Sequence, residues 1–539
     1  MLDKSPTSHQ TTSAGIAARI FVALLALGVL ATALTQLQAA TEGVDISTRQ
    51  VGSMPVTLFR PANSSNAPPA QHVPVVLVVH GFAGSQQLMQ PFALTLARNG
   101  YVAVTFDFPG HGRNTTPMRG GLADQEMSHR TLMAAMDEMG DFARSLSAGS
   151  PYALVGHSMS SDLVVRHAQA RADVLATVGV SMFAPSIVAD SPGDSPRNLL
   201  VIDGALEPSM MAREALRVIG RVAGPNPAQD ITYGDFAAGT ARRATLSPGV
   251  EHIAVLYSRS TLTETLNWLN RAFGKPPEAH PFIDALGPWL GLLLLGVVAL
   301  AWPLAALLPR LTGSVAAAPL ADPPPRRRWW RWRGGAPITL LPALLTPLIL
   351  WPVPSDFLPI LLGDYLVLHF TVYGLLTIAG LLLLGQRPPT IAPGRSAALW
   401  MTIALATAYA LFAVGVPLNA YVFNTQPTAV RLPLILAMSV GTMVYFLADE
   451  WLTRDPGAPP GAYLVSKIAF LVSLMAAIAL NPHRLFFLAI IVPAILLLFI
   501  IYGLFSRWVY RSTGYPAVAA VANALAFGAF IAVTFPLVS

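Results

Sequence analysis

The chain has 539 residues, 53% of them hydrophobic and only 12% charged, with a mean hydropathy of +0.54. That balance excludes a purely soluble enzyme. The lack of cysteine excludes disulfides, thiol catalysis and thiolate metal sites, and the net charge of +6 has its origin in basic stretches beside apolar runs, a membrane signature before a nucleic-acid one.

Lys4 and Arg19 precede an apolar run at 20–37. It is long for the core of a signal peptide, and its small-residue cleavage site, Leu37-Gln38-Ala39-Ala40, is mediocre. A transmembrane signal anchor at 20–38 is the favoured reading, with a cleaved signal peptide as the alternative. Either one exports the segment behind it. Val75–Val79 is a continuous Val/Leu run, as expected of a strand buried on both faces. Pro74 sits where a strand's first residue can do without its N–H. The run opens into His80-Gly81-Phe82-Ala83-Gly84-Ser85 and a helical stretch at 86–98. A strand at 101–106 leads to Asp107-Phe108-Pro109-Gly110-His111-Gly112-Arg113. A short apolar run, 152–155, then precedes Gly156-His157-Ser158-Met159-Ser160 and a helix at 162–170. Strand, tight turn carrying a serine, helix is the layout of a nucleophile elbow. Ser160 stands where the G-x-S-x-G pattern has its last glycine.

The order strand, HGF loop, helix, strand, D-x-x-G-H-G, helix, strand, serine elbow resembles the α/β-hydrolase superfamily over about residues 73–273. The resemblance implies an α/β-hydrolase fold, a doubly wound and mostly parallel sheet. It also implies a serine, acid, histidine chain order. Two more strands, 175–183 and 198–202, lead to Asp203-Gly204-Ala205-Leu206-Glu207-Pro208. The superfamily places its acid a few residues past the strand, after a glycine, which favours Glu207 and leaves Asp203 as the competitor. A last strand, 244–246, runs into Ser247-Pro248-Gly249-Val250-Glu251-His252, ahead of a helix at 262–273. His252 thus takes the position of the catalytic base for Ser158. The backbone N–H groups of Phe82 and Met159 are the implied oxyanion donors. His80, His111 and His157 lie beside glycine turns and are read as structural or loop-orienting. No H-E-x-x-H or paired Cys/His spacing is present, so neither a metal nor a cofactor is expected.

From residue 283 onward, eight apolar runs reach or approach the roughly 20 residues a bilayer requires: 285–308, 337–353, 358–384, 397–417, 430–449, 463–481, 485–505 and 516–537. The second is short and proline-rich. Arginines crowd alternate loops: Arg310 and the Arg/Trp run 326–333, then Arg387 and Arg395, then Arg454, then Arg507 and Arg511. Such loops face the cytoplasm, which puts residues 41–281 outside. The resulting layout is a cytoplasmic tail 1–19, the anchor, a hydrolase domain 42–277, and an all-α transmembrane bundle 283–539 with a basic cytoplasmic loop 309–336. Within the spans, Asp364 and His369 raise the question of a proton or ion pathway. The competing reading puts Asp364 near the headgroups and gives His369 a bond to a neighbouring helix. Lys467 is expected to snorkel to the interface, with Asp449 and Glu450 also interfacial.

The expected activity is that of a membrane-anchored serine hydrolase cleaving an ester, or an amide, of a small molecule or lipid on the outer face of the plasma membrane. The stretch between 183 and 198 is too short for a large lid, so the pocket is expected to be open. The alternative is a multi-pass transporter or scaffold with an accessory or degenerate hydrolase-like domain. The lipid bilayer is the one partner expected, and nucleic acid is not. Oligomeric state and substrate identity are open.

Overall fold

The computed structural model describes residues 13–62, 73–121, 124–312, 335–388, 396–454, 458 and 460–539. Lys4, the linker 322–325, the Arg/Trp run 326–333 and Arg395 lie outside the described residues.

Helix α1 (Ser13–Ala39) leads directly into an eight-stranded sheet. The strands are β1 (Val44–Val51), β2 (Met54–Pro61), β3 (Val75–Val79), β4 (Val102–Phe106), β5 (Tyr152–His157), β6 (Val174–Val180), β7 (Leu199–Gly204) and β8 (Arg242–Ser247). Their spatial order is β1-β2-β4-β3-β5-β6-β7-β8. β1 pairs antiparallel with β2, and β2 with β4; every other neighbour is parallel. The Val/Leu runs are buried on both faces because alternate side chains enter different cores. Leu77 and Val79 pack with α3 (Gln125–Leu146) and α4 (Met159–Ala170), while Val76 and Val78 pack with α2 (Gln90–Arg98) and α6 (Arg259–Ala272). Helix α5 (Ser209–Ala223) covers β7 and β8 on the α4 side. The strands anticipated from sequence are present, with ends moved by one or two residues in most cases. β1 and β2 were not anticipated. β1 lies at a sheet edge with most of its residues exposed and only Val44, Ser47 and Val51 half-buried, and it lacks the apolar run that marked the others.

The C-terminal region contains α7 (Leu286–Ala305), α8 (Leu308–Thr312), α9 (Gly335–Leu350), α10 (Gly363–Leu383), α11 (Ser396–Ala408), α12 (Val414–Tyr421), α13 (Leu432–Arg454), α14 (Ala462–Leu480), α15 (Pro482–Thr513) and α16 (Pro516–Thr534). By length and composition, eight described helices are apolar enough to cross a membrane: α1 and seven in this region, α11 and α12 together forming one of them through a π-turn at Tyr409–Ala413. The run expected at 337–353 forms only the shorter helix α9, which carries Pro342 and Pro347.

The hydrolase-like domain rests on one end of these helices. Residues after α16 run as a ribbon between the two parts: Leu537 exchanges backbone hydrogen bonds with Gly110 and Met118, and Pro536 and Val538 bond Leu361 and Pro359 of the loop before α10. Arg431, fully buried, donates to the carbonyls of Ala532 (2.5 Å), Phe535 (2.9 Å) and Gly110 (2.7 Å). One apolar cluster runs without a break from Leu77 and Phe108 to Leu434, Leu488 and Phe535.

Two expectations about charges are corrected. Lys467 does not snorkel. Its ammonium is buried 2.6 Å from Asp449 Oδ2 and 3.1 Å from the Tyr445 hydroxyl, among the rings of Tyr445, Phe446, Tyr463 and Phe499. Asp449 and Glu450 are buried rather than interfacial: Ser466 also donates to Asp449, while Arg454 (3.0 Å) and the Ser506 hydroxyl bond Glu450. Each acid has its base, so the cluster is neutral and knits α13, α14 and α15 together. Asp364 is also buried, and its Oδ2 accepts from the N–H groups of Phe357 and Leu358 (2.6 and 2.8 Å), bracing the loop into α10. His369 packs on Phe470 and lies 3.5 Å from Tyr365 of its own helix.

Removing one partner of a buried pair costs far more than removing both. Lys467→Met is expected to destabilise the detergent-solubilised protein by about 3 kcal/mol, with most of that recovered on adding Asp449→Asn. Melting midpoints of the two single variants and the double variant check it, and a double variant no more stable than Lys467→Met would contradict it.

Candidate active site

Ser158 stands at the end of β5, one residue before α4, with φ 54° and ψ −117°. Positive φ strains a residue with a Cβ, and the neighbours hold it there. Gly156 permits the sharp return of the chain, since a Cβ at that position would fall 2.7 Å from Val164 Cγ2 and 2.8 Å from the Ser160 carbonyl. Ser160, the departure from the glycine pattern, is fully buried. Its hydroxyl accepts from the His157 N–H and lies 2.9 Å from the Val79 carbonyl, fastening the elbow to β3. The substitution is thus a tie between the elbow and its neighbouring strand.

His252 Nε2 lies 2.9 Å from Ser158 Oγ, and its Nδ1 lies 2.6 Å from Glu207 Oε1. This spacing fits a neutral imidazole that donates from Nδ1 and accepts at Nε2. Glu207 is fixed in turn, because its Oε2 accepts from the Gly204 N–H (2.6 Å) and the Ser181 hydroxyl (2.9 Å). Of the two carboxylates weighed from sequence, Glu207 reaches the histidine. Asp203 points elsewhere: its Oδ1 accepts from the Met182 N–H at 3.1 Å, and burial, then the charge of Glu207, pushes its pKa up to about 7.

The loop that carries Phe82 passes directly over the serine. A Cβ on Gly81 would fall 3.0 Å from Ser158 Cβ and 2.9 Å from the His157 carbonyl, so only glycine allows the approach. Met159 is the first residue of α4, which puts its N–H at the helix N-terminus beside Ser158. The three other histidines orient loops. His80 bridges the Gly81 carbonyl (2.8 Å) and the Phe108 N–H (3.2 Å). His111 lies 3.0 Å from the Pro109 carbonyl. His157 Nε2 lies 2.9 Å from the backbone carbonyl of His252, tying the histidine loop to the elbow. Burial lowers the pKa of all three, to about 3 for His111 and His157, so they are neutral. Asp107 draws the two loops together: it accepts from the backbone and side chain of Gln86 and from the Arg113 N–H.

Sequence reasoning missed Ser181, which sits just past β6, where the sheet's C-terminal edge gathers such side chains. It also missed the contribution of the C-terminal region. No lid arises between 183 and 198, as expected, yet the pocket is not simply open. The Phe82 ring packs against Phe487 of α15, with centroids 4.7 Å apart, and its edge meets Phe535. Beside that contact lies a cavity of about 180 Å³ between the Phe82 loop and the helices.

Residues 70–220, less than half of the chain, match the family described as serine aminopeptidase, S33. No curated protein is a significant match. Solved structures similar to the N-terminal part include a CIB-like hydrolase from Thermoplasma acidophilum (13% identity, 42% of this chain and 97% of that one, TM-score 0.32). A soluble variant of monoglyceride lipase from Saccharomyces cerevisiae (12%, 42% and 96%, 0.30) and a bacterial membrane phospholipase A (14%, 48% and 98%, 0.30) are also similar. The mostly parallel sheet, the serine elbow and the family match together establish an α/β-hydrolase domain, fused to a C-terminal helical region whose apolar helices fit a membrane domain.

Proposed function

We propose that this protein is a membrane-anchored serine hydrolase that cleaves an ester, or an amide, through an acyl-enzyme on Ser158. The observation that carries the reading is the hydrogen-bonded chain Glu207–His252–Ser158, with spacings of 2.6 and 2.9 Å, on a backbone held in the strained elbow conformation. In this reading His252 Nε2 takes the hydroxyl proton as Ser158 Oγ attacks the carbonyl carbon. Glu207 holds the imidazole tautomer and stabilises the imidazolium. The oxyanion is met by the N–H groups of Phe82 and Met159, each such donor being worth about 3 kcal/mol in the transition state. Collapse expels the alcohol or amine, which takes the proton from His252. Water, deprotonated by the same imidazole, then releases the acid and restores Ser158.

The proposed location is the outer face of the plasma membrane. Arg310, Arg387, Arg454, Arg507 and Arg511 follow or end α7, α10, α13 and α15 at the ends away from the hydrolase domain. The positive-inside tendency favours the cytoplasm for those ends. The domain is touched by the chain just before α7, through Asp284 to Thr95, and just before α13, through Arg431 to Gly110. It is also touched by the C-terminal end of α12 and the loop after it, through Gln87 to Asn419, Tyr257 to Tyr421 and Asn424 to Gly112.

Labelling of the full-length protein in membranes with a fluorophosphonate probe is expected to vanish in Ser158→Ala; labelling that persists would rule out Ser158 as the nucleophile. Glu207→Gln is expected to lower kcat on a nitrophenyl ester by roughly a hundredfold or more, while Asp203→Asn keeps most of it. If the two effects are reversed, the acid is misassigned. Asp203 also makes a pH prediction. Its folded pKa of about 7 lies above the ordinary 3.8, so its contribution to stability is full below the unfolded value and is lost as pH rises through about 7. Asp203→Asn does not ionise and is therefore expected to gain stability relative to the native protein as pH rises over that window, read as the difference in melting midpoint at either end.

A further inference from the structure

The cavity beside the Phe82 loop has two kinds of wall. One is made of the chain neighbours of the proposed machinery: Gly81 to Gly84 of the oxyanion loop, His157 just before Ser158, and Ile253 just after His252. The other is made of apolar side chains of the helical region, among them Phe423, Ile491, Ile495, Leu498 and Phe530. No charged side chain lines it. Its two polar side chains are Thr534 and His157, and the latter's Nε2 is already engaged with the His252 carbonyl. Nothing here recognises a headgroup, a sugar or a peptide. Hydrocarbon is the chemistry that such a lining accepts.

The cavity also has a direction. Its α15 wall extends from Ile490 to Leu498, about 12 Å along the helix axis, starting near Phe487, which touches Phe82. Ala494 on that wall is exposed, and Ile490, Ile491 and Ile495 are only half-buried, so the space opens outward across α15. Pro493, within the same turn, removes a backbone hydrogen-bond donor there. α15 is among the helices apolar enough, by length and composition, to cross a membrane, and on a helix that does so an opening along its length faces hydrocarbon rather than water.

We infer that this cavity receives the acyl chain of the substrate, so that the scissile carbonyl is presented to Ser158 from the bilayer side and the substrate class is a long-chain acyl ester. The inference rests on the serine-hydrolase reading above and deepens it. The hydrolase domain supplies the nucleophile and the oxyanion donors, and the helical region supplies the chain-binding half of the pocket. The leaving group is left on the water side, over the open edge of the sheet.

The test measures kcat/KM of the detergent-solubilised full chain on nitrophenyl acetate and nitrophenyl decanoate, with fluorophosphonate labelling of Ser158 as the check on folding. The native protein is expected to favour decanoate by ~tenfold or more, since each methylene that leaves water for an apolar pocket is worth roughly fourfold. Ile495→Trp and Ile491→Trp, which fill the cavity from two positions, are each expected to cut that ratio by ~tenfold. Leu497→Trp, on the exposed face of the same helix, should leave the ratio within ~twofold. A native ratio near one with labelling intact overturns the inference and leaves the serine-hydrolase reading standing, as does an unchanged ratio in both filling variants. A native protein that neither labels nor turns over acetate overturns the serine-hydrolase reading, and this inference with it.

Discussion

The structure depends on one buried guanidinium. Arg431 lies between the start of α13 and the end of α16 and donates to two carbonyls of the helical region and to Gly110 of the hydrolase domain. A guanidinium out of water is costly unless each donor is met. Here the geometry that meets it is the docking of the two halves, with the ribbon 535–539 threaded between them. Gly110 belongs to the same loop as His111, whose ring packs against His80 and so against the Phe82 loop, and as Asp107, which accepts from Gln86 just beyond that loop. The path from the helical region to the Phe82 loop is therefore short and made of packed, hydrogen-bonded groups.

That continuity changes how the hydrolase domain is understood. Taken alone, its core is two apolar layers on either face of a parallel sheet, and its elbow, histidine and acid are self-contained. Yet one of its apolar clusters continues into the helices, and the ring of Phe82 is clamped by Phe487 and Phe535. The residue whose N–H is the proposed oxyanion donor thus has its side chain gripped by the helical region. In the proposed reading, the fusion of the two parts gives a hydrolase whose pocket is completed by helices suited to hydrocarbon.

What was legible in the sequence is what local pattern encodes. The Val/Leu runs gave the parallel strands, because a strand covered on both faces must be apolar throughout. The glycine-flanked serine gave the elbow, and the position past the strand and after a glycine separated Glu207 from Asp203. Ser160 was visible only as a departure; that its hydroxyl binds β3 required the neighbouring strand. β1 escaped notice because an edge strand half in solvent carries no apolar run. Lys467, Asp449, Arg431 and the cavity were illegible for a shared reason. Each depends on which residues of distant helices meet, and hydropathy along one helix carries no such information. The snorkelling expectation for Lys467 assumed an empty helix flank where Asp449 and Tyr445 in fact stand.

The central claim is that the helical region and the hydrolase domain form one functional unit. Arg431→Ala tests it most directly, since it removes the buried donor without touching the proposed machinery. The Gly110 carbonyl keeps the Leu537 N–H, while those of Ala532 and Phe535 lose the guanidinium, at about 1–3 kcal/mol for each unsatisfied buried group. The measurement is the melting midpoint of the full-length protein together with its rate of fluorophosphonate labelling. The account predicts that both fall in this variant. A midpoint and a labelling rate equal to those of the native protein would contradict it.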